Sequence, residues 1–150
     1  MKQSKDAIEA SKKIEELAQK FEKERQAMKN EMDTKNKEFE SQQLLLSEER
    51  KTETLREIQE LNQKLLKYQE EKFGSQGELE RRTKDLTEPI VKKIQNVIDK
   101  IGQEEGFNFI FDTVNANIVF AREKENDLTE RVITELNKGL SQSTQSETKQ

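Results

Sequence analysis

Apolar residues return along the first forty positions at helical intervals: Ile8, Ile14, Leu17, Phe21, Met28, Met32 and Phe39. Leu17, Met28 and Phe39 are eleven residues apart, as are Phe21 and Met32. Eleven residues fill about three helical turns, so this spacing predicts a long, nearly straight helix with a narrow apolar stripe. Ser4 is placed to cap it and Asp6 lies in its first turn. Arg25, Asn36 and Gln43 fall where a tight seam would take aliphatic residues. Methionines and such polar interruptions suit either ordinary intramolecular packing or a loose, adaptable apolar surface. Glu9/Lys13 and Glu16/Lys20 belong to the solvated face, where pairs of this kind contribute only a few tenths of a kcal/mol each.

A second stripe follows: Leu55, Ile58, Leu61, Leu65 and Tyr68, broadened by Leu66 and Phe73. Between the two lie Leu44, Leu45 and Leu46, then Ser47, Glu48 and Glu49. Ser47 resembles an N-cap followed by an acidic first turn. The expected arrangement is a helical hairpin with its tip near residues 43–47, which sets Leu17 in the neighbourhood of Phe73 and lets the stripes shield one another. With neither glycine nor proline at the turn, one unbroken helix is the competing arrangement. The three leucines serve either as a staple at the tip or as an end that touches another molecule.

Gly74 and Gly77 interrupt the second helix, each weakening it by roughly 1 kcal/mol relative to alanine. They predict a hinge, a bulge or an irregular turn. Beyond them Leu86, Ile90, Ile94, Val97, Ile98 and Ile101 form a stronger stripe, with Pro89 either kinking this helix or opening a new one. Gly102 and Gly106 mark its exit. FNFIFD, with Phe107, Phe109 and Phe111 on one face, reads as a strand, and IVFA (118–121) as a second. A last helix carries Leu128, Val132, Ile133 and Leu136, with Asp127 or Asn126 as its cap and Gly139 as its end. Residues 139–150 read as a disordered polar tail.

Composition narrows what such a chain does. Of 150 residues 30% are hydrophobic and 39% charged, which is thin for a compact core but sufficient for the seam of a long coil. The net charge of −4 gives no electrostatic case for specific nucleic-acid binding. Histidine and cysteine are absent, which excludes disulfides, the common zinc sites and His- or Cys-based catalysis. Gly74 and Gly77 lack the lysine and Ser/Thr of a phosphate loop, and the scattered carboxylates form no convergent pair. The chain is therefore expected to be no enzyme and to carry no catalytic residue, metal or cofactor. No transmembrane run or signal peptide is visible. Taken literally, a complete chain of this kind stays soluble in the cytoplasm.

The order of the long hairpin, LSEER after its reversal, LTEPIVKKIQNVIDKIGQEEGFNFIFD and DLTERVITELNKG resembles the Skp (OmpH-like) family over roughly residues 5–138. The resemblance implies a mainly α fold: a helical-hairpin tentacle over 5–85 attached to a small α/β trimerisation body over 86–138. The family's first body strand is expected to be missing, since the chain begins almost at the long helix. The resemblance further implies a periplasmic homotrimer that holds unfolded outer-membrane β-barrel proteins without ATP or cofactor. Client-facing candidates are Leu17, Phe21, Met28, Met32, Phe39, Leu44, Leu45 and Leu46. Gly74 and Gly77 are hinge candidates. Leu86, Ile90, Ile94, Phe109, Phe111 and Leu136 are candidates for a shared assembly core. The acidic balance implies that contact with an anionic membrane surface is weak. A structural or adaptor coiled coil is the alternative function.

Overall fold

The computed structural model describes residues 4–112 and 127–146, and the described chain is mainly helical with no strand. Four helices follow in order: α1 (Lys5–Gln42), α2 (Glu48–Phe73), α3 (Glu78–Glu105) and α4 (Thr129–Ser146). The chain divides into two compact units. One is Lys12–Lys84; the other joins the stretch up to Ser11 with the stretch from Asp85 onward.

The first unit is an antiparallel helical hairpin. α1 closes with Gln43 N–H donating to Phe39 O at 2.8 Å, and the chain reverses through Gln43–Leu46. Ser47 then caps α2: its Oγ accepts from Arg50 N–H at 3.3 Å, while Glu48 and Glu49 face the positive end of the helix. The turn uses no left-handed residue, because among the described non-glycine residues only Gln76 has a positive φ. A glycine is therefore not required at the tip, and the hairpin prevails over the single unbroken helix. Lys35 pairs with Glu57, and Tyr68 with Glu24. Residues 35 and 57 lie equally far from 46, as do 24 and 68, so the register is symmetric about Leu46.

α2 ends at Phe73, where Gly74 N–H donates to Gln69 O and Glu70 O. A short turn follows. Gln76 sits at φ 65°, its backbone N–H held at 2.7 Å by the Glu80 carboxylate, and α3 starts at Glu78. The left-handed conformation thus falls on Gln76 rather than on either flanking glycine. Gly74 is needed for space instead, since a Cβ there would lie 2.4 Å from Glu70 O.

In the other unit α3 runs without interruption through Pro89, so the proline neither opens a new helix nor ends this one. An interior proline costs a helix about 3 kcal/mol, yet the apolar face persists on both sides of it, through Leu86, Ile90 and Ile94 to the fully buried Ile101. α3 ends as Gly106 turns to φ +70° and Phe107 N–H reaches back to Gly102 O at 3.0 Å, a Schellman-type close. The Asp127 carboxylate accepts from Thr129 N–H at 3.0 Å and starts α4, and Leu136 on that helix is buried. The N-terminal turn of α1 joins the same unit: Lys5 N–H donates to Asn137 Oδ1, and Asp6 pairs with Lys93 at 2.6 Å.

Two sequence expectations need correction here. Phe107–Asp112 forms no strand, because alternation supplies strand propensity but a strand exists only when its backbone pairs, and no described residue pairs with it. The companion strand expected at 118–121 lies outside the described residues. α4 also continues past Gly139 to Ser146. Glycine weakens a helix but does not stop it unless it turns left-handed, and the positive-φ glycine among the described residues is Gly106.

Candidate functional site

The hairpin of the first unit places three distinct environments along its length. At the end away from the tip the seam is apolar. Phe21 is buried and meets Phe73 edge to face, with ring centroids 6.2 Å apart. Leu65 and Tyr68 are buried alongside on α2. The Lys72 ammonium lies 5.0 Å from the Phe21 ring centre and 5.9 Å from that of Tyr68, and pairs with Glu78 across the turn. Hydrogen bonding to Lys72 holds the Glu78 carboxyl below the usual range. Burial, then the hydrogen bond to Glu24, pushes the Tyr68 phenol well above its ordinary value.

Towards the tip polar and charged residues enter the seam among the half-buried Met28, Met32, Phe39, Ile58 and Leu61. Lys35 and Glu57 pair across it, and the hydrogen bond between them lowers the Glu57 pKa and raises that of Lys35. Asn36, Thr54 and Lys51 occupy half-buried positions where a tight coil would carry aliphatic side chains. Arg25 is likewise half-buried and is held by Glu22 at 2.6 Å.

At the tip itself the apolar residues lose their cover. Leu44 is 93% exposed and Leu45 87%, while Leu46 is half-buried. Three neighbouring leucines occur in a turn flanked by Glu40, Glu48, Glu49 and Arg50, all exposed. Among the described residues two of the three staple nothing, and they form a small apolar cap on a charged hairpin end.

The residues singled out from the sequence therefore separate into groups. Leu17, Met28, Met32 and Phe39 are half-buried along the inward side of α1, and Phe21 is buried. Leu44 and Leu45 stand in solvent. Gly74 and Gly77 sit together in the turn between α2 and α3. Leu86, Ile90 and Ile94 are half-buried on α3, and Leu136 is buried on α4. Phe109 and Phe111 stack on each other at 6.1 Å with 78% and 65% of their surface exposed, so they are outside the core of this single chain.

Two residues assigned to the α2 seam lie elsewhere. Leu55 is 46% exposed and Leu66 57%. The inward line of α2 is Thr54, Ile58, Leu61, Leu65 and Tyr68. Each of the two leucines follows a seam residue by one position, which turns it about 100° away. The signal that could have found them is this one-residue offset from a line already complete without them.

Among the described residues no group of His, Cys, Asp or Glu is arranged to hold a metal ion. None of the described helices is long and apolar enough to cross a membrane. The family model described as "Outer membrane protein (OmpH-like)" matches residues 1–136. No curated protein matches the chain.

Proposed function

The chain belongs to the OmpH-like outer membrane protein family, a family associated with periplasmic chaperone function and not with catalysis, and on that premise we propose that it is an ATP-independent holdase for unfolded outer-membrane proteins. In this reading residues 12–84 are an arm. The helices of the other unit, completed by strands, are an α/β body that joins three copies, and the chaperone works in the periplasm. Leu86, Ile90, Ile94, Phe109, Phe111 and Leu136 meet their counterparts in the assembled body. The turn at Gly74 and Gly77 lets the arm shift.

The observation that carries the proposal is the bare apolar tip: Leu44 and Leu45 are solvated on a hairpin whose other outward positions are mostly charged. Leucines held in water, without a partner among the described residues, suit contact with another apolar chain. Each such contact is weak. Three arms raise the effective concentration of the contacts for one client, so the client is retained while no single site fixes its conformation. Such retention needs no nucleotide.

The test dilutes a urea-unfolded β-barrel protein into buffer with and without the chaperone, in the absence of nucleotide, and follows light scattering. Suppressed aggregation at a fixed ratio of chaperone to client is the expected outcome. An adaptor coiled coil, by contrast, leaves aggregation unchanged while the chain itself remains oligomeric.

A further inference from the structure

Half of the residues of α2 are charged, yet besides the inward seam a second line along the helix carries no charge: Thr52, Leu55, Gln59, Asn62, Leu66, Gln69 and Phe73. The steps are alternately three and four, so the line is a continuous stripe. It is distinct from the seam through Thr54, Ile58, Leu61, Leu65 and Tyr68. Except for the half-buried Gln69, every member is exposed. Charges outside the stripe are in part neutralised along the helix, Arg56 by Glu60 at 3.3 Å and Lys67 by Glu71 at 3.8 Å. Thr52 turns its hydroxyl back to Glu48 O at 2.9 Å, whereas the side-chain amides of Gln59 and Asn62 find no partner among the described residues.

We infer that this stripe is a docking surface for one extended, uncharged segment of an unfolded polypeptide, with alternating apolar and polar residues. The inference rests on the holdase reading and names a second surface, besides the tip, through which it acts. Three properties select the occupant. From Thr52 to Phe73 the stripe is about 32 Å long at the helical rise. That is the length of roughly ten residues of extended chain, the size of one strand of a membrane β-barrel. The free amides of Gln59 and Asn62 can donate to and accept from an extended backbone, whose own N–H and C=O groups are unpaired. Leu55 and Leu66 offer apolar contact to the alternate side chains, Phe73 adds only the ring surface that its packing on Phe21 leaves open, and the absence of charge suits a segment that carries none.

A second folded helix fits this surface poorly. One helix face of this length covers about 300 Å², against about 800 Å² per partner in a stable interface. A dry helix–helix seam would also take the amides of Gln59 and Asn62 away from water, and the backbone of a second helix, already used internally, could not satisfy them. The stripe is thus weak and adaptable, as holding without folding requires.

Photo-crosslinking on the full chain tests this. A benzoylphenylalanine is placed singly at Gln59 or Asn62, and as controls at Glu53 or Lys64 on the far side of α2, all exposed positions. The probe is a urea-unfolded outer-membrane β-barrel protein diluted into the reaction. Crosslinks concentrated at positions 59 and 62 are expected. The double variant Leu55→Lys/Leu66→Lys, with helicity checked by circular dichroism, is expected to weaken client binding about tenfold. Equal crosslinking at all four positions, with aggregation still suppressed, overturns the stripe and leaves the holdase reading intact. Crosslinking of the chain to itself at 59 and 62 in place of the client assigns the stripe to self-association and overturns the inference. Neither crosslinking nor suppression of aggregation overturns both.

Discussion

The Tyr68 hydroxyl donates a 2.5 Å hydrogen bond to the Glu24 carboxylate across the hairpin, and the same oxygen lies 3.4 Å from the Phe21 carbonyl. This ties α2 to α1 beside the Phe21–Phe73 pair and fixes the register about Leu46. Tyr68→Phe keeps the ring but leaves the carboxylate without its donor. A loss of about 1–2 kcal/mol in urea unfolding is expected, at the lower end for a bond to a charged group because Glu24 is only half-buried.

The same bond sets a pH dependence. The folded chain keeps the phenolic proton above the pH at which an unfolded tyrosine, near pH 10, releases it. The stabilisation is complete below about pH 10 and declines as the pH rises past it, because the unfolded state then binds fewer protons than the folded one. Urea titrations between neutral and strongly alkaline pH should show the parent losing stability more steeply than Tyr68→Phe. Parallel curves would show that the phenol does not contribute to the alkaline loss.

The tip separates stability from function. Leu44 and Leu45 are solvated, so Leu44→Ser/Leu45→Ser should alter the unfolding free energy by no more than about 0.5 kcal/mol. Anti-aggregation activity should fall in the same variant. If unfolding shifted substantially while activity held, the leucines would be structural after all.

What was legible in the chain follows from what one residue type can signal by itself. Ser47 with Glu48 and Glu49 marks a helix start whatever the rest does, so the reversal could be placed without glycine. The eleven-residue spacing of Leu17, Met28 and Phe39 likewise fixes the inward side of α1. Leu55 and Leu66 were misplaced because hydrophobicity marks a leucine as coverable, not as covered, and a two-helix hairpin covers only one narrow face of each helix. Phe107–Phe111 alternates as a strand does, but strand formation depends on a second backbone. Pro89 shows the converse: its local cost did not interrupt α3, whose apolar face continues on both sides.

The turn after α2 offers a backbone test. Gln76 occupies the left-handed region at φ 65°, a conformation that glycine adopts without a side-chain clash. Gln76→Gly should stabilise the chain by about 0.5–1 kcal/mol, the relief of strain exceeding the added freedom of the unfolded state. Gly74→Ala should do the opposite, by about 1–3 kcal/mol, because its Cβ would meet Glu70 O at 2.4 Å and the helix end would have to shift. Alanine at Gly74 is therefore no clean way to stiffen this turn, and amide exchange across Phe73–Glu80 in Gln76→Gly is the better probe of its motion. A destabilised Gln76→Gly would mean that the side chain contributes more than the backbone strain costs.

Phe109 and Phe111 bring assembly and stability into a single measurement. Their rings stack on each other, yet more than half of each remains in water, so a single chain gains little from them. If they belong to a shared trimer core, as proposed, their worth appears only on association. Phe109→Asp should then leave the helicity of the isolated chain almost unchanged, since an exposed aspartate costs about 0.5 kcal/mol or less. In the assembly the same carboxylate would be buried without a partner, and dissociation should rise by at least about tenfold. Sedimentation over a concentration series reads both effects: the parent should move from monomer to trimer as concentration rises, with the variant's transition displaced to higher concentration. Anti-aggregation activity should follow the trimer fraction rather than total chain, because retention by several weak contacts requires more than one arm. A parent that stays monomeric across the series while suppressing aggregation fully would refute the need for three arms and leave the single hairpin as the active unit.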